Sequence, residues 1–197
     1  MKISKYLLVL LFVLVLLIVK LSLKAQYLSE NKTELSAKQI CTPAFADGGG
    51  PYYKYNAPFR YKIVPDENDG EKVIVKGKLL RSDCKTAVAN AVIDIWQANE
   101  KGNYEDDWYR GKITTDKTGY YSFETVKPKG YGEGTARRPP HIHFKVFIES
   151  AEIITSQMFF PDVSGKPGFN DAYIMKLESA ESSGEKYQIG YHDIILP

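Results

Sequence analysis

From residue 72 onward, apolar residues recur at every second position in short segments, a period that admits strands and argues against helices. Lys72 to Leu80 sets Val73, Val75, Gly77 and Leu79 on one face. Ala91 to Ala98 sets Val92, Asp94 and Trp96 opposite Ile93, Ile95 and Gln97. Gly111 to Thr115 and Tyr120 to Thr125, joined by Asp116-Lys117-Thr118-Gly119, read as a hairpin with a glycine-containing turn. His141 to Glu149 and Ile153 to Phe160 follow, split by a turn at Ser150-Ala151. Phe169 to Leu177 is ambiguous, and Glu185 to Leu196 reads as a closing strand pair or one long strand bent at Gly190. Short strands at this spacing predict a sandwich or a barrel. No segment after the first 25 residues has a helical period, and neither an internal repeat nor a second domain is visible.

The N-terminus is of a different kind. Lys2 and Lys5 precede an unbroken apolar run from Tyr6 to Val19. That run is shorter than the roughly 20 residues a membrane span needs. With its positive flank it predicts a signal peptide over residues 1–25, cleaved, or retained as an N-terminal anchor. Residues 26–40 are polar and aperiodic and predict a flexible arm. The folded domain is expected over residues 41–197. Cys41 to Pro58 opens it with irregular backbone marked by Pro43, Gly48-Gly49-Gly50-Pro51 and Pro58. The expected location is exported, periplasmic or extracellular, with residues 6–19 reaching a membrane only if the leader stays attached. In an exported chain the two cysteines, Cys41 and Cys84, read as a disulfide; two free buried thiols are the other reading. The net charge of +2, with lysine and arginine scattered, gives no argument for nucleic acid.

Chemistry concentrates in Arg138-Pro139-Pro140-His141-Ile142-His143-Phe144. On a strand, His141 and His143 share one face while Ile142, Phe144, Val146 and Ile148 fill the other. Two imidazoles so placed suit adjacent positions around a metal, or are two ordinary strand histidines at a solvated edge. Tyr131 lies ten residues before His141, and Tyr104 closes the loop that leaves the second strand. Either tyrosine alone would be a packing residue. Together, two tyrosinates and two neutral imidazoles make an N2O2 set whose anionic oxygens favour Fe(III) over Zn(II) or Cu(I). Trp108 lines a pocket or packs at the surface, and the third histidine, His192, reads as structural.

These segments resemble the intradiol ring-cleavage dioxygenases, the family of the protocatechuate 3,4- and catechol 1,2-dioxygenases. The resemblance is carried by Thr42-Pro43 with Gly50-Pro51-Tyr52-Tyr53, by Ile95-Trp96-Gln97-Ala98-Asn99 with Tyr104, and by Gly119-Tyr120-Tyr121-Ser122-Phe123 with Val126-Lys127-Pro128. Arg138 to Phe144 and Ser156-Gln157-Met158-Phe159-Phe160-Pro161 complete it, in the family's order, across Cys41 to Pro197. It implies an all-β, antiparallel or mixed sandwich of prealbumin-like type with long active-site loops. It implies non-haem Fe(III) held by Tyr104, Tyr131, His141 and His143, with Tyr131 and His143 axial. Arg138 would be the active-site arginine beside the substrate ring, Gln157 its neighbour, and Tyr131 the ligand that leaves and takes a substrate proton. The implied reaction is O2-dependent cleavage of a catechol to a cis,cis-muconate-type diacid, and a homo-oligomer is consistent with it. Tyr131 is followed by Gly132-Glu133, where the protocatechuate enzymes have Pro-Trp, so the pocket wall differs and the substrate is expected only to be a catechol. Glu133, if it faced inward, would repel a carboxylated ring. The rival expectations are an exported prealbumin-like binding module without catalysis, and an iron site that captures catechols without turnover.

Overall fold

Nine strands form among the described residues of the domain. They are β1 (Lys72–Leu80), β2 (Val92–Gln97), β3 (Arg110–Thr114), β4 (Tyr120–Val126), β5 (His141–Ile148), β6 (Ala151–Phe159), β7 (Lys176–Ser182), β8 (Glu185–Tyr191) and β9 (Ile194–Ile195). This computed structural model describes residues 41–104, 107–134, 137–163 and 168–197, together with residues 17, 19, 20 and 22. The chain divides into two units, Met1–Ile40 and Cys41–Pro197. The four described residues of the first are helical, and the leader and arm expectations otherwise lie outside the described residues. Among the described residues no helix is long and apolar enough to cross a membrane.

The strands make two sheets, a sandwich and not a barrel. One runs β4-β1-β8-β7 with β9 beside the end of β1; the other runs β3-β2-β5-β6. The second is wholly antiparallel. The first is mixed, because β8 and β9 run parallel to β1. The inner faces meet through Val73, Val75 and Phe123 on one side and Ile93, Ile95, Ile142, Phe144 and Met158 on the other. Each such fully buried side chain stabilises the fold by about 1.5–3 kcal/mol before chain entropy is counted.

Three expectations about connectivity need correction. The strands flanking Asp116–Gly119 do not form a hairpin. β3 pairs with β2 in one sheet and β4 with β1 in the other, so the turn steps across the sandwich. Gly119 sits at that step with φ +75°, and a Cβ there would meet the Leu79 carbonyl oxygen at 2.7 Å. The β5–β6 turn falls at Glu149-Ser150, both at positive φ, and not at Ser150-Ala151. The closing pair is β7 with β8, so the ambiguous segment is a short 3-10 turn at Asp171–Tyr173 followed by a strand.

Residues 41 to 63 make a strap whose middle, at Gly49 and Tyr53, covers the outer face of the β3-β2-β5-β6 sheet, while its end buries Ile63 in the core. A Cys41–Cys84 disulfide anchors its start. Ala44 then donates to the Ile195 carbonyl and Asp47 to the Thr155 carbonyl, both at 2.8 Å. Further along, Arg60 donates to Lys112 and Ile63 to Glu124. The strap thus takes up backbone groups that edge strands β6, β3 and β4 would otherwise leave open.

Candidate metal centre

Sheet register sets the floor of the site. On β5, Ile142, Phe144 and Val146 are fully buried in the core, so His141 and His143 point outward, beneath the strap. Trp96 of β2 and Gln157 of β6 are the cross-strand partners of His143. The Trp96 indole lies parallel to the His143 ring, with centroids 4.8 Å apart. Strap residues close over this row. Gly49 and Gly50 both have positive φ, and a Cβ on Gly49 would stand 3.2 Å from the Thr155 methyl and 3.4 Å from the Trp96 ring. Tyr53 packs on Trp96 and donates to the buried Asp94 carboxylate at 3.0 Å.

Two loops bring the phenols. The first leaves β2 and turns at Asn99, whose side-chain oxygen accepts from the Lys101 and Asn103 amides. That turn delivers Tyr104. The second carries Tyr131, whose backbone pairs with that of Arg138 in both directions, at 3.0 and 2.7 Å. This bridge places Arg138 beside Tyr131 directly before the histidine strand. The loops are tied by the Lys129 amide donating to the Asn99 carbonyl. Glu105 and Asp106 of the acidic loop lie outside the described residues, and Trp108 is a surface residue with the Arg60 guanidinium 4.8 Å above its ring.

All four ligand candidates converge. Ring centroids are 4.6 Å apart for His141–His143, 5.7 Å for Tyr131–His141, 5.4 Å for Tyr104–Tyr131 and 6.5 Å for Tyr104–His143. The imidazole orientations are telling. His141 Nδ1 lies 2.6 Å from the Pro139 carbonyl oxygen, an atom that only accepts, so Nδ1 carries the proton and Nε2 presents a lone pair. That Nε2 is 3.0 Å from His143 Nε2. Two nitrogens bound at ~2.1 Å to one ion, at a right angle, would stand about that far apart. Burial keeps both rings neutral, lowering His141 to about 4 and His143 to about 3, the latter helped by His141 and Arg138. The Tyr104 hydroxyl is buried without a hydrogen-bond partner. Burial, and then the nearby Tyr131 hydroxyl, pushes its phenol well above the usual range. Arg138 opposes that rise, and a metal cation at the site would reverse it. Among the described residues no group of three or more His, Cys, Asp or Glu could hold a metal. The oxygen donors that the described residues set beside the two imidazoles are the phenols of Tyr104 and Tyr131, a donor set that fits a hard cation.

Arg138 and Gln157 meet at this centre, with the guanidinium donating to the Gln157 amide oxygen at 2.7 Å. His192 is buried elsewhere, its backbone N–H bonded to Lys76 and its carbonyl accepting from Tyr121. Glu133 is exposed, where water screens the repulsion expected of it. Asp47, Tyr52 and the Pro139 carbonyl belong to the site and were not singled out from sequence for any role there. The glycine run after Asp47 was the available signal, because consecutive glycines mark a close backbone approach.

Comparison with known proteins agrees with this architecture. A family described as dioxygenase matches residues 48–181. Chlorocatechol 1,2-dioxygenase from Pseudomonas putida is 35% identical over 56% of this chain and 51% of its own length. The protocatechuate 3,4-dioxygenase beta chain from Burkholderia cepacia is 31% identical over 64% and 65%. The chain thus spans about half the length of the first of these relatives. The dioxygenase domain of a dioxygenase–carbohydrate-binding fusion from Streptomyces sp. SirexAA-E superposes with a TM-score of 0.65 at 25% identity, covering 79% of this chain and 98% of that one. The 3-chlorocatechol 1,2-dioxygenase of Rhodococcus opacus 1CP shares the fold, with a TM-score of 0.69 at 22% identity, over 84% and 77%. With its two-sheet sandwich and a family match across most of its folded part, this chain belongs to the intradiol ring-cleavage dioxygenases.

Proposed function

We propose that this chain is an exported dioxygenase that holds non-haem Fe(III) through Tyr104, Tyr131, His141 and His143. It splits a catechol between its hydroxyl-bearing carbons, and both atoms of O2 enter a cis,cis-muconate-type diacid. The observation that carries this reading is the pair of Nε2 atoms 3.0 Å apart beside a buried, unpartnered Tyr104 hydroxyl. When bound, ferric ion supplies Lewis acidity and a template for two vicinal hydroxyls.

The chain's own residues do the remainder. His141 and His143 stay neutral and fixed, one by Pro139, the other by Trp96. Tyr131, half-buried on its loop, would be held as a phenolate in the loaded site, and that phenolate oxygen would accept a proton from a catechol hydroxyl. Arg138 keeps a positive charge that Tyr104, His141 and His143 all feel, so it stabilises negative charge developing on the ring or its oxygen adduct. The histidine rings are almost free of solvent contact, which strengthens each of these charges.

Export is supported by the charged, apolar leader and by the disulfide, a bond that persists in oxidising compartments. The similarity to a protein named as a beta chain is consistent with assembly into an oligomer. The test is oxygen uptake across substituted catechols with product mass. Iron-loaded protein should be red-brown, take up one O2 per catechol and release a diacid heavier by two oxygen atoms. Colourless protein holding stoichiometric zinc would overturn the iron assignment, and catechol binding without oxygen uptake would leave capture in place of catalysis.

A further inference from the structure

The Arg138–Gln157 contact has a fixed polarity. A guanidinium only donates, and an ionised carboxylate only accepts. Arg138 Nη2 donates to Gln157 Oε1 at 2.7 Å, and Gln157 Nε2 donates to Asp47 Oδ2 at 2.7 Å. Flipping the amide would set N–H against N–H at one end and oxygen against oxygen at the other. The amide therefore has one orientation, selected by Arg138 at one end and by Asp47 at the other. The same Asp47 oxygen lies 3.8 Å from His143 Nδ1, a buried nitrogen without a hydrogen-bond partner. An anion there favours the proton on Nδ1, which leaves the Nε2 lone pair pointing at His141 Nε2. Asp47 is itself held in place, since its backbone N–H donates to the Thr155 carbonyl ahead of the Gly48–Gly50 run.

We propose that Asp47 is a positioning residue of this centre, orienting Gln157 toward Arg138 and fixing the tautomer of His143. The inference rests on the catalytic reading above. At 3.8 Å the Asp47 carboxylate acts on the His143 ring through its charge and not through a hydrogen bond, and loss of an outer group that orients a site typically weakens activity or metal affinity by about 10–100-fold. Asp47 does this from the strap, a segment distant in sequence from every ligand.

The test uses iron-loaded full chain as wild type, D47N, Q157E and D47N/Q157E. In D47N the amide at position 47 can present either its oxygen or its N–H to Gln157, so that end no longer dictates the Gln157 orientation, and the negative charge behind His143 is gone. D47N should lose at least tenfold in kcat with a smaller change in KM, and its phenolate-to-iron absorption should shift. Q157E places two carboxylates together and should also fall. In the double variant, the carboxylate at position 157 accepts from both Arg138 and the amide at position 47, and the net charge is unchanged. Its kcat should recover severalfold over either single variant, which a merely structural Asp47 would not produce. If D47N does not fold, Q157E against the double variant decides the point. D47N with wild-type kcat and absorption, or a double variant no better than Q157E, would overturn the role of Asp47 and leave the dioxygenase reading standing. A wild type without iron colour or oxygen uptake would sink both.

Discussion

The ring of Tyr52 lies flat on that of Tyr104, with centroids 4.3 Å apart and planes within 4°, while Tyr131 meets both edge-on. Tyr52 stays partly open to solvent, but the Tyr104 hydroxyl is buried and has no hydrogen-bond partner. A buried hydroxyl left without a well-formed hydrogen bond costs about 1–3 kcal/mol, so the fold tolerates here an atom that a bound cation would satisfy.

Tyr104→Phe follows from that imbalance. Without metal the variant should be at least as stable as wild type, because it removes the unpaired hydroxyl and keeps the stacked ring. With iron it should lose most of the visible colour and bind less metal. Thermal melts with and without iron, together with metal analysis, check both outcomes.

Arg138→Ala should keep the iron colour and lose turnover. The four ligand candidates remain, and only the charge beside them goes. Removing one preorganised charge-stabilising group typically costs about 10²–10³ in kcat. Steady-state oxygen uptake checks this, and unchanged turnover would strike Arg138 from the site.

Stability of the metal-free protein should fall as pH drops from about 6.5 toward 4. Burial lowers His192 to about 4, against an ordinary value of 6.5. Between those values the unfolded chain binds a proton that the folded chain refuses, so acid favours unfolding. The contribution is fully present above pH 6.5 and declines by about 3 kcal/mol by pH 4, an order-of-magnitude figure. His141 and His143 act in the same direction without metal. Denaturant melts of wild type and His192→Gln at several pH values isolate the His192 share: a shallower pH slope in the variant is expected, and an unchanged slope would refute it.

Replacing Cys41 and Cys84 together with Ser should lower stability by about 4 kcal/mol in the chain-entropy model, given a sequence separation of 43. The freed end is the strap that carries Asp47 and Tyr52, so the variant should also lose turnover at temperatures where it stays folded. Denaturant melts and oxygen uptake on the same sample separate the two effects.

Much of the fold was legible because period-2 alternation is local. Lys72–Leu80 is a strand with the expected bounds, and the His141 strand buries the expected face. The Asp116–Gly119 step was misread because a turn and two alternating segments look alike whether the strands pair with each other or with partners in opposite sheets. β7 escaped notice because its lysine, serines and glutamates leave an edge strand without an apolar face. Asp47 escaped because a lone carboxylate in a loop carries no pattern.

Sequence alone determined that the chain is built of strands, that two imidazoles share a strand face, and that two phenols and an arginine stand in order near them. These are properties of neighbours along the backbone. Only the tertiary structure decided which strands pair, that Cys41 meets Cys84, and that the strap lays Asp47 against Gln157 and His143. Those contacts join residues as far apart in sequence as Val73 and Gln188, and no local period encodes them. The physical reason is that chain closure is driven by burying the shared core, which brings distant polar groups together as a consequence of packing.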